Sequence, residues 1–270
     1  VGTSGVDTIN GGAGNDTITG GMGADTLNGG AGDDIFIITE EELIAGSKHL
    51  FTIGNITVGA PYQSIITVDK ISGGSGMDTV LIPFNGYQNL KAVYFPELSL
   101  SGIEQVAFAE SPTYLGIYVD ASVWQSVTSW NLQSLVKHLS ILGDGGSVTL
   151  DNLESDVSFF DYEGESGIFF TGEFDTIDLS NYEGTVDYLN ANEFNTFIGS
   201  ASADSLLSSD NDFNFSGGTG NDTLNINFSD YQGSYPGTGN WGGDYVSVLE
   251  LKGSFNGGSG NDYLSFSNTS

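Results

Sequence analysis

The sequence predicts an all-β protein, a parallel β-roll or β-solenoid with irregular coils and one or two short helices. Three observations carry that reading. A glycine-rich nonapeptide recurs in tandem, and a short fixed period marks stacked units that bury a core only together. Between the repeats, short apolar segments alternate with Gly, Asn, Asp and Ser breaks, the pattern of short strands. The 270 residues include 40 Gly, 5 Pro and no Cys, while a 38% hydrophobic fraction with 17 Phe and 12 Tyr is enough for a core without disulfide staples.

The repeats open the chain. Residues 2–37 divide into four nonapeptides, GTSGVDTIN, GGAGNDTIT, GGMGADTLN and GGAGDDIFI. Position six is always Asp (Asp7, Asp16, Asp25, Asp34), and position eight is always large and apolar (Ile9, Ile18, Leu27, Phe36). Further copies stand at 73–81 (GGSGMDTVL), 217–225 (GGTGNDTLN) and 257–265 (GGSGNDYLS). Steps of 18 residues reveal weaker ones: 199–207 keeps Asp204 and Leu206, and 239–247 keeps Gly242, Asp244 and Val246. The nonapeptides between, 208–216 and 248–256, lack the Asp but place Phe215 and Phe255 at position eight. The predicted organisation is a regular roll over 1–37, an irregular solenoid over 38–198 with one repeat at 73–81, and a second repeat block over 199–270 with an aromatic insert at 226–238.

The irregular stretch carries weaker signals. Thr39 followed by Glu40, Glu41 and Glu42 predicts a capped, acidic-ended short helix. Leu132, Leu135, Val136 and Leu139 have helical spacing and predict a second, with His138 on its surface. Strands are predicted over 50–58, 64–71, 91–95, 104–109, 116–120, 147–150, 157–162, 167–170, 176–179 and 194–198.

Residue chemistry in the repeats points to hard cations. Two nonapeptides make one coil, so residues 18 apart are expected to stack. Glycines at positions two and four let the turn adopt φ > 0 and aim carbonyls inward. These are Gly12 and Gly14, Gly21 and Gly23, Gly30 and Gly32, Gly74 and Gly76, Gly218 and Gly220, Gly258 and Gly260, and Gly242 of the weaker copy. The carboxylates expected beside them are Asp7 with Asp25, Asp16 with Asp34, Asp204 with Asp222 and Asp244 with Asp262. Asp78 has no partner 18 residues away, though Asp69 occupies position six of the preceding nonapeptide. An all-oxygen donor set suits several Ca²⁺ ions better than Mg²⁺, which keeps its waters. Zinc would want thiolate or imidazole, and only His49 and His138 are present. The position-eight side chains, Leu224 and Leu264 among them, are expected to form an apolar column.

Charge bounds the function. Five Lys and no Arg face 22 Asp and 13 Glu, a formal net charge of −30. Phosphate recognition needs a basic footprint, so nucleic acid is excluded as a partner. No stretch of 18 apolar residues exists to insert in a membrane, and no cleavable leader is visible. Residues 237–242 match G-x-G-x-x-G literally, but no helix pattern follows, and the repeat register explains the glycines. The chain has no H-E-x-x-H, G-x-S-x-G, Arg clamp or Cys nucleophile, so no enzyme is expected.

These nonapeptides resemble the RTX repeats of bacterial proteins exported by type I secretion. The resemblance implies a right-handed parallel β-roll, unfolded in the low-calcium cytoplasm and folded with Ca²⁺ outside the cell, with the type I exporter as a transient partner. A second resemblance is to RTX-type surface-layer proteins. It rests on SGGSGMDTVL (72–81) followed by SGIEQVA (101–107), and on GEFDTIDLSN (172–181). No protease or lipase module precedes the repeats, and the last repeat closes just before residue 270, as in a fragment or a processed chain. The expectation is a secreted or cell-surface structural protein that self-assembles with Ca²⁺; the alternative is the folding and export module of a larger toxin, enzyme or adhesin. Tyr231, Tyr235, Trp241 and Tyr245 are expected to fold over the solenoid wall; the alternative is that they seat a surface glycan or a neighbouring copy.

Overall fold

The computed structural model describes residues 1–38, 51–53, 56–58, 63–65, 69–82, 92–95, 99–108, 115–132, 136–153, 167–182, 189–191, 193–208, 212–227 and 253–267. Their strands are short and pair in parallel, apart from one antiparallel hairpin joining Phe51–Ile53 to Ile56–Val58. The fold is the expected all-β parallel β-roll or solenoid.

Alternation puts every second side chain into the core, and the strands stack into walls. The first wall runs Thr8–Ala13, Thr26–Ala31, Lys70–Ser75 and Ser99–Ser101. The second runs Thr17–Ile18, Ile35–Ile37, Thr79–Ile82, Ile103–Phe108 and Val127–Asn131. A third wall begins at Gln63–Ile65 and continues through Ala92–Phe95, Leu115–Asp120, Val136–Asp144, Gly167–Asp178, Leu189–Ala191, Ser205–Ser208 and Thr223–Asn227 to Tyr263–Ser267. A fourth starts at Ser147–Thr149, shares the long strand Gly167–Asp178, and continues through Phe194–Ile198, Asn214–Ser216 and Ser254–Asn256. The N-terminal roll thus uses the first two walls and the C-terminal roll the last two. Between them, single coils contribute strands to three walls, as Ala92–Phe95, Ser99–Ser101 and Ile103–Phe108 do.

The 18-residue step holds within each block, as Leu27 on Ile9 and Leu224 on Leu206 show. It fails across two inserts. Ile71 stacks on Leu27, and Leu264 stacks on Leu224, offsets of 44 and 40 residues. The apolar column forms as expected for Ile18, Leu27, Phe36, Leu206, Phe215 and Leu224, all buried. Ile9 is only partly buried, and Phe255 and Leu264 remain partly exposed on the last described coil. Val246 lies outside the described residues.

One helix expectation is corrected. Val136–Asp144 is a strand that pairs on both sides, with Leu139 opposite Ile117 and Ile168. Leu139 and Ile141 alternate into the core, and two parallel neighbours override the helical spacing of Leu132, Leu135, Val136 and Leu139. His138 therefore sits in that strand, opposite Gly116 and Gly167. The segment at Thr39 and Glu40–Glu42 lies outside the described residues. The one helix among the described residues is Ala121–Gln125, a single turn at a coil corner. Its Trp124 stacks on Trp130 with centroids 4.8 Å apart, and the Trp130 indole N–H donates to the Trp124 carbonyl at 3.0 Å. That bond satisfies a carbonyl near the helix end, while the Trp124 indole N–H reaches the Thr149 carbonyl at 2.8 Å.

Phe215 lies between Phe197 and Phe255, stacked with centroids at 5.5 and 5.2 Å. Phe215→Ala is expected to cost about 3–5 kcal/mol, since it truncates a buried ring that has a partner on either side. Phe255→Ala, at 38% exposure, should cost distinctly less. Denaturant midpoints under one fixed solution condition compare the two, and equal losses would contradict the packing described.

Candidate metal centre

The turns obey the glycine code. Positions two and four of all six full repeats have φ between +85° and +148°, a region closed to most side chains. A Cβ on Gly30 would collide with the Gly12 carbonyl, so that carbonyl points along the axis at the next coil. The strands on either side fix the turn, and the turn fixes the aspartate at position six.

Those aspartates form rails. The backbone N–H of Asp7 donates to Asp25 Oδ1 and that of Asp16 to Asp34 Oδ1, both at 2.8 Å. The rails continue from Asp25 to Asp69 at 2.8 Å and from Asp34 to Asp78 at 2.9 Å. In the second block, Asp204 donates to Asp222 at 2.9 Å and Asp222 to Asp262 at 3.0 Å. The expected pairs 7/25, 16/34 and 204/222 are thus brought together. Asp78 does have a partner, Asp34, and Asp69 joins Asp25. Asp262 is met by Asp222, 40 residues earlier, directly across the insert. Asp244, Gly242, Tyr231, Tyr235, Trp241 and Tyr245 lie outside the described residues.

One carboxylate oxygen is therefore engaged by protein, and the other is not. Oδ2 of Asp16, Asp25, Asp34, Asp78 and Asp222 is buried with no hydrogen-bond partner. A Cβ on Gly11 would stand 2.6 Å from Asp16 Oδ2 and 2.7 Å from the Gly29 carbonyl oxygen, so the missing side chain leaves a cradle where both oxygens converge. Gly29, Gly73 and Gly217 repeat the arrangement around Asp34, Asp78 and Asp222. Leaving buried carboxylate oxygens unsatisfied is costly, and a hard cation ligated by carboxylate and carbonyl oxygens would satisfy them. Among the described residues no three His, Cys, Asp or Glu side chains converge, so the donors are paired carboxylates and backbone carbonyls. The residues present fit Ca²⁺.

Electrostatics agree with the geometry. Burial pushes Asp204 up to about 6, opposed by its hydrogen bonds from Ser200 and helped by the charge of Asp222. Burial first, then neighbouring carboxylates, also raises Asp222 and Asp78; the neighbours are Asp262 for the one and Asp34, Glu104 and Asp33 for the other. A bound divalent cation would reverse this balance by favouring the ionised form.

Several participants escaped the sequence reading. Thr3 donates its N–H (2.6 Å) and hydroxyl (2.8 Å) to Asp7 Oδ2, holding that carboxyl below its ordinary range. Ser200 treats Asp204 Oδ2 likewise, at 2.7 and 3.2 Å. Both occupy position two, where the full repeats have Gly; that departure was the available signal. Glu104 accepts the Asp78 N–H at 2.8 Å although it belongs to no repeat. Position five forms an outer rail: Asp33 N–H donates to Asn15 Oδ1 (3.0 Å), Met77 N–H to Asp33 Oδ1 (2.9 Å) and Asn261 N–H to Asn221 Oδ1 (2.9 Å). The recurrence of Asn or Asp there was legible but unused.

Asp25→Ala and Leu27→Ala separate ligand from core. Leu27 is buried in the column, so its truncation is expected to cost roughly 2–5 kcal/mol. Both substitutions should lower thermal stability, and only Asp25→Ala should lower the number of calcium ions bound in a titration. Equal counts for the two variants would contradict the ligand assignment.

A family model described as the RTX calcium-binding nonapeptide repeat matches residues 1–36 and 191–224, in 4 copies. Comparison with curated proteins and with solved structures gave no match. RTX repeats bind Ca²⁺, and proteins that contain them are typically secreted by the type I route, consistent with an extracellular location. The chain carries RTX calcium-binding nonapeptide repeats, and its cofactor is Ca²⁺, several ions over the multiple repeats.

Proposed function

We propose that the chain is an extracellular structural element, folded by Ca²⁺, that assembles with other copies of itself as a surface-layer or filament subunit does. The observation that carries this reading is the continuity of the solenoid between the two repeat blocks. The third wall passes hydrogen bond by hydrogen bond from Gln63–Ile65 to Tyr263–Ser267, through coils that have no calcium motif. Those coils hold much of the buried apolar core, including Trp124, Trp130, Phe170 and Phe174. A module serving only calcium-triggered folding needs no such non-repeat core; a stiff, load-bearing unit does. The role is structural rather than catalytic. Calcium bridges between surfaces would overcome the self-repulsion of a chain with a net charge of −30.

Excess chelator is expected to abolish the far-UV circular dichroism signal of the β structure, with recovery on adding Ca²⁺ and little recovery with Mg²⁺. A spectrum indifferent to chelator would sink the calcium-folding part of the proposal.

Assembly is tested by light scattering and negative-stain imaging across a calcium titration. Sheets or fibres that form with Ca²⁺ and dissolve with chelator are the expected result. A folded, strictly monomeric species at millimolar calcium and high protein concentration would favour the alternative, an export and folding module of a larger protein.

A further inference from the structure

The second wall does not end with the last repeat of the N-terminal block. Asp78 is the final repeat aspartate on that wall, and its rung is followed by Ser101-Gly102-Ile103-Glu104, which belongs to no repeat. In a full repeat, the first glycine supplies a carbonyl to the preceding rung and the aspartate five residues later supplies a carboxylate. Gly102 and Glu104 perform the same two tasks two residues apart.

The correspondence is close. The Gly102 carbonyl points at the place a Cβ on Gly73 would fill, beside Asp78 Oδ2, just as the Gly73 carbonyl points at Gly29 beside Asp34 Oδ2. Glu104 Oε2 accepts the Asp78 N–H at 2.8 Å, as Asp78 Oδ1 accepts the Asp34 N–H at 2.9 Å. The Glu104 and Gln105 N–H groups both donate to the Asp78 carbonyl at 3.0 Å, which pins the segment in register. Ser99–Ser101 and Ile103–Phe108 leave only Gly102, at φ +57°, to turn the corner. The extra methylene of Glu makes up the reach lost with the six-residue turn. Asp78 itself is 0% exposed, and its Oδ2 has no hydrogen-bond partner.

We propose that Asp78, Glu104 and the Gly102 carbonyl hold a calcium ion of their own, shared between the last repeat rung and a coil without the motif. Two carboxylates and a carbonyl are hard oxygen donors of the kind Ca²⁺ takes, and the remaining positions suit water. The ion would lock the irregular solenoid to the N-terminal roll, so calcium would order residues beyond the repeats. The proposal rests on calcium binding by the repeats and extends it.

Glu104→Gln in the full chain tests it, because Gln still accepts the Asp78 N–H while the charge is gone. Native mass spectrometry and calorimetric titration with CaCl₂ should show one ion fewer than in the unaltered chain, or one ion bound on the order of tenfold more weakly. Far-UV circular dichroism at saturating calcium should be unchanged. A Glu104→Gln chain with the full ion count and unaltered affinities overturns the proposal. Should that variant fail to fold, Glu104→Asp decides: weakening of a single ion supports the site, and binding identical to the unaltered chain overturns it. An unaltered chain that binds no calcium would remove this site together with the reading on which it rests.

Discussion

Stacked carboxylates are the constraint on which the rest of the structure depends. Each position-six aspartate after the first of its file spends one oxygen on the N–H of the preceding rung, so successive carboxylates are held at the strand spacing of a parallel sheet. Two unit charges about 5 Å apart repel by roughly 3 kcal/mol at an effective dielectric of 20. Asp16, Asp34, Asp78 and Glu104 form one such file, and Asp7, Asp25 and Asp69 another. Hydrogen bonds alone leave Oδ2 buried and unanswered along most of these files. Cations between the rungs would turn the repulsion into attraction.

Coil geometry explains why the ladder tolerates large inserts. Lengthening a closed coil from 18 to 44 residues adds only about 0.8 kcal/mol of closure entropy on a logarithmic law. The returning strand regains its full set of parallel hydrogen bonds and its place in the core, Ile71 on Leu27 and Val80 on Phe36. Nearest-neighbour stacking is indifferent to how far the chain travels between rungs. The insert before Lys70 even contributes Gln63–Ile65, the first strand of the third wall.

That indifference also sets the limit of what the sequence discloses. The position-six aspartates, the positive-φ glycines and the apolar column are local to one nonapeptide, and all are legible in the repeat. The partners of Asp69, Asp78 and Asp262 depend on where an insert ends, which no fixed step of 18 predicts. Val136–Asp144 misleads for a different reason: the aliphatic residues before and within it are spaced as in a helix, only Leu139 and Ile141 alternate as in a strand, and neighbours far along the chain choose. Glu104 is hidden because it reproduces the geometry of a repeat without its spacing.

The ladders are also directional, and two of their beginnings differ from their interiors. Every position-six N–H points toward the rung later in sequence, so an interior aspartate accepts from an earlier rung and donates to a later one, while the outer position-five rail runs the other way. Asp7 and Asp204 open their files, and in both the glycine of position two is replaced by a hydroxyl residue, Thr3 or Ser200. There the protein answers Oδ2 with its own donors; at Asp25, Asp34, Asp78 and Asp222 glycine offers no such donor and the oxygen stays open. Hydrogen bonds to a carboxylate favour its charged form as a cation does, but more weakly and without drawing the next rung closer. Thr3 and Ser200 thus let two ladders start on protein donors alone, whereas Asp16 opens the third beside Gly12 with its Oδ2 left to the metal, as in the interior rungs.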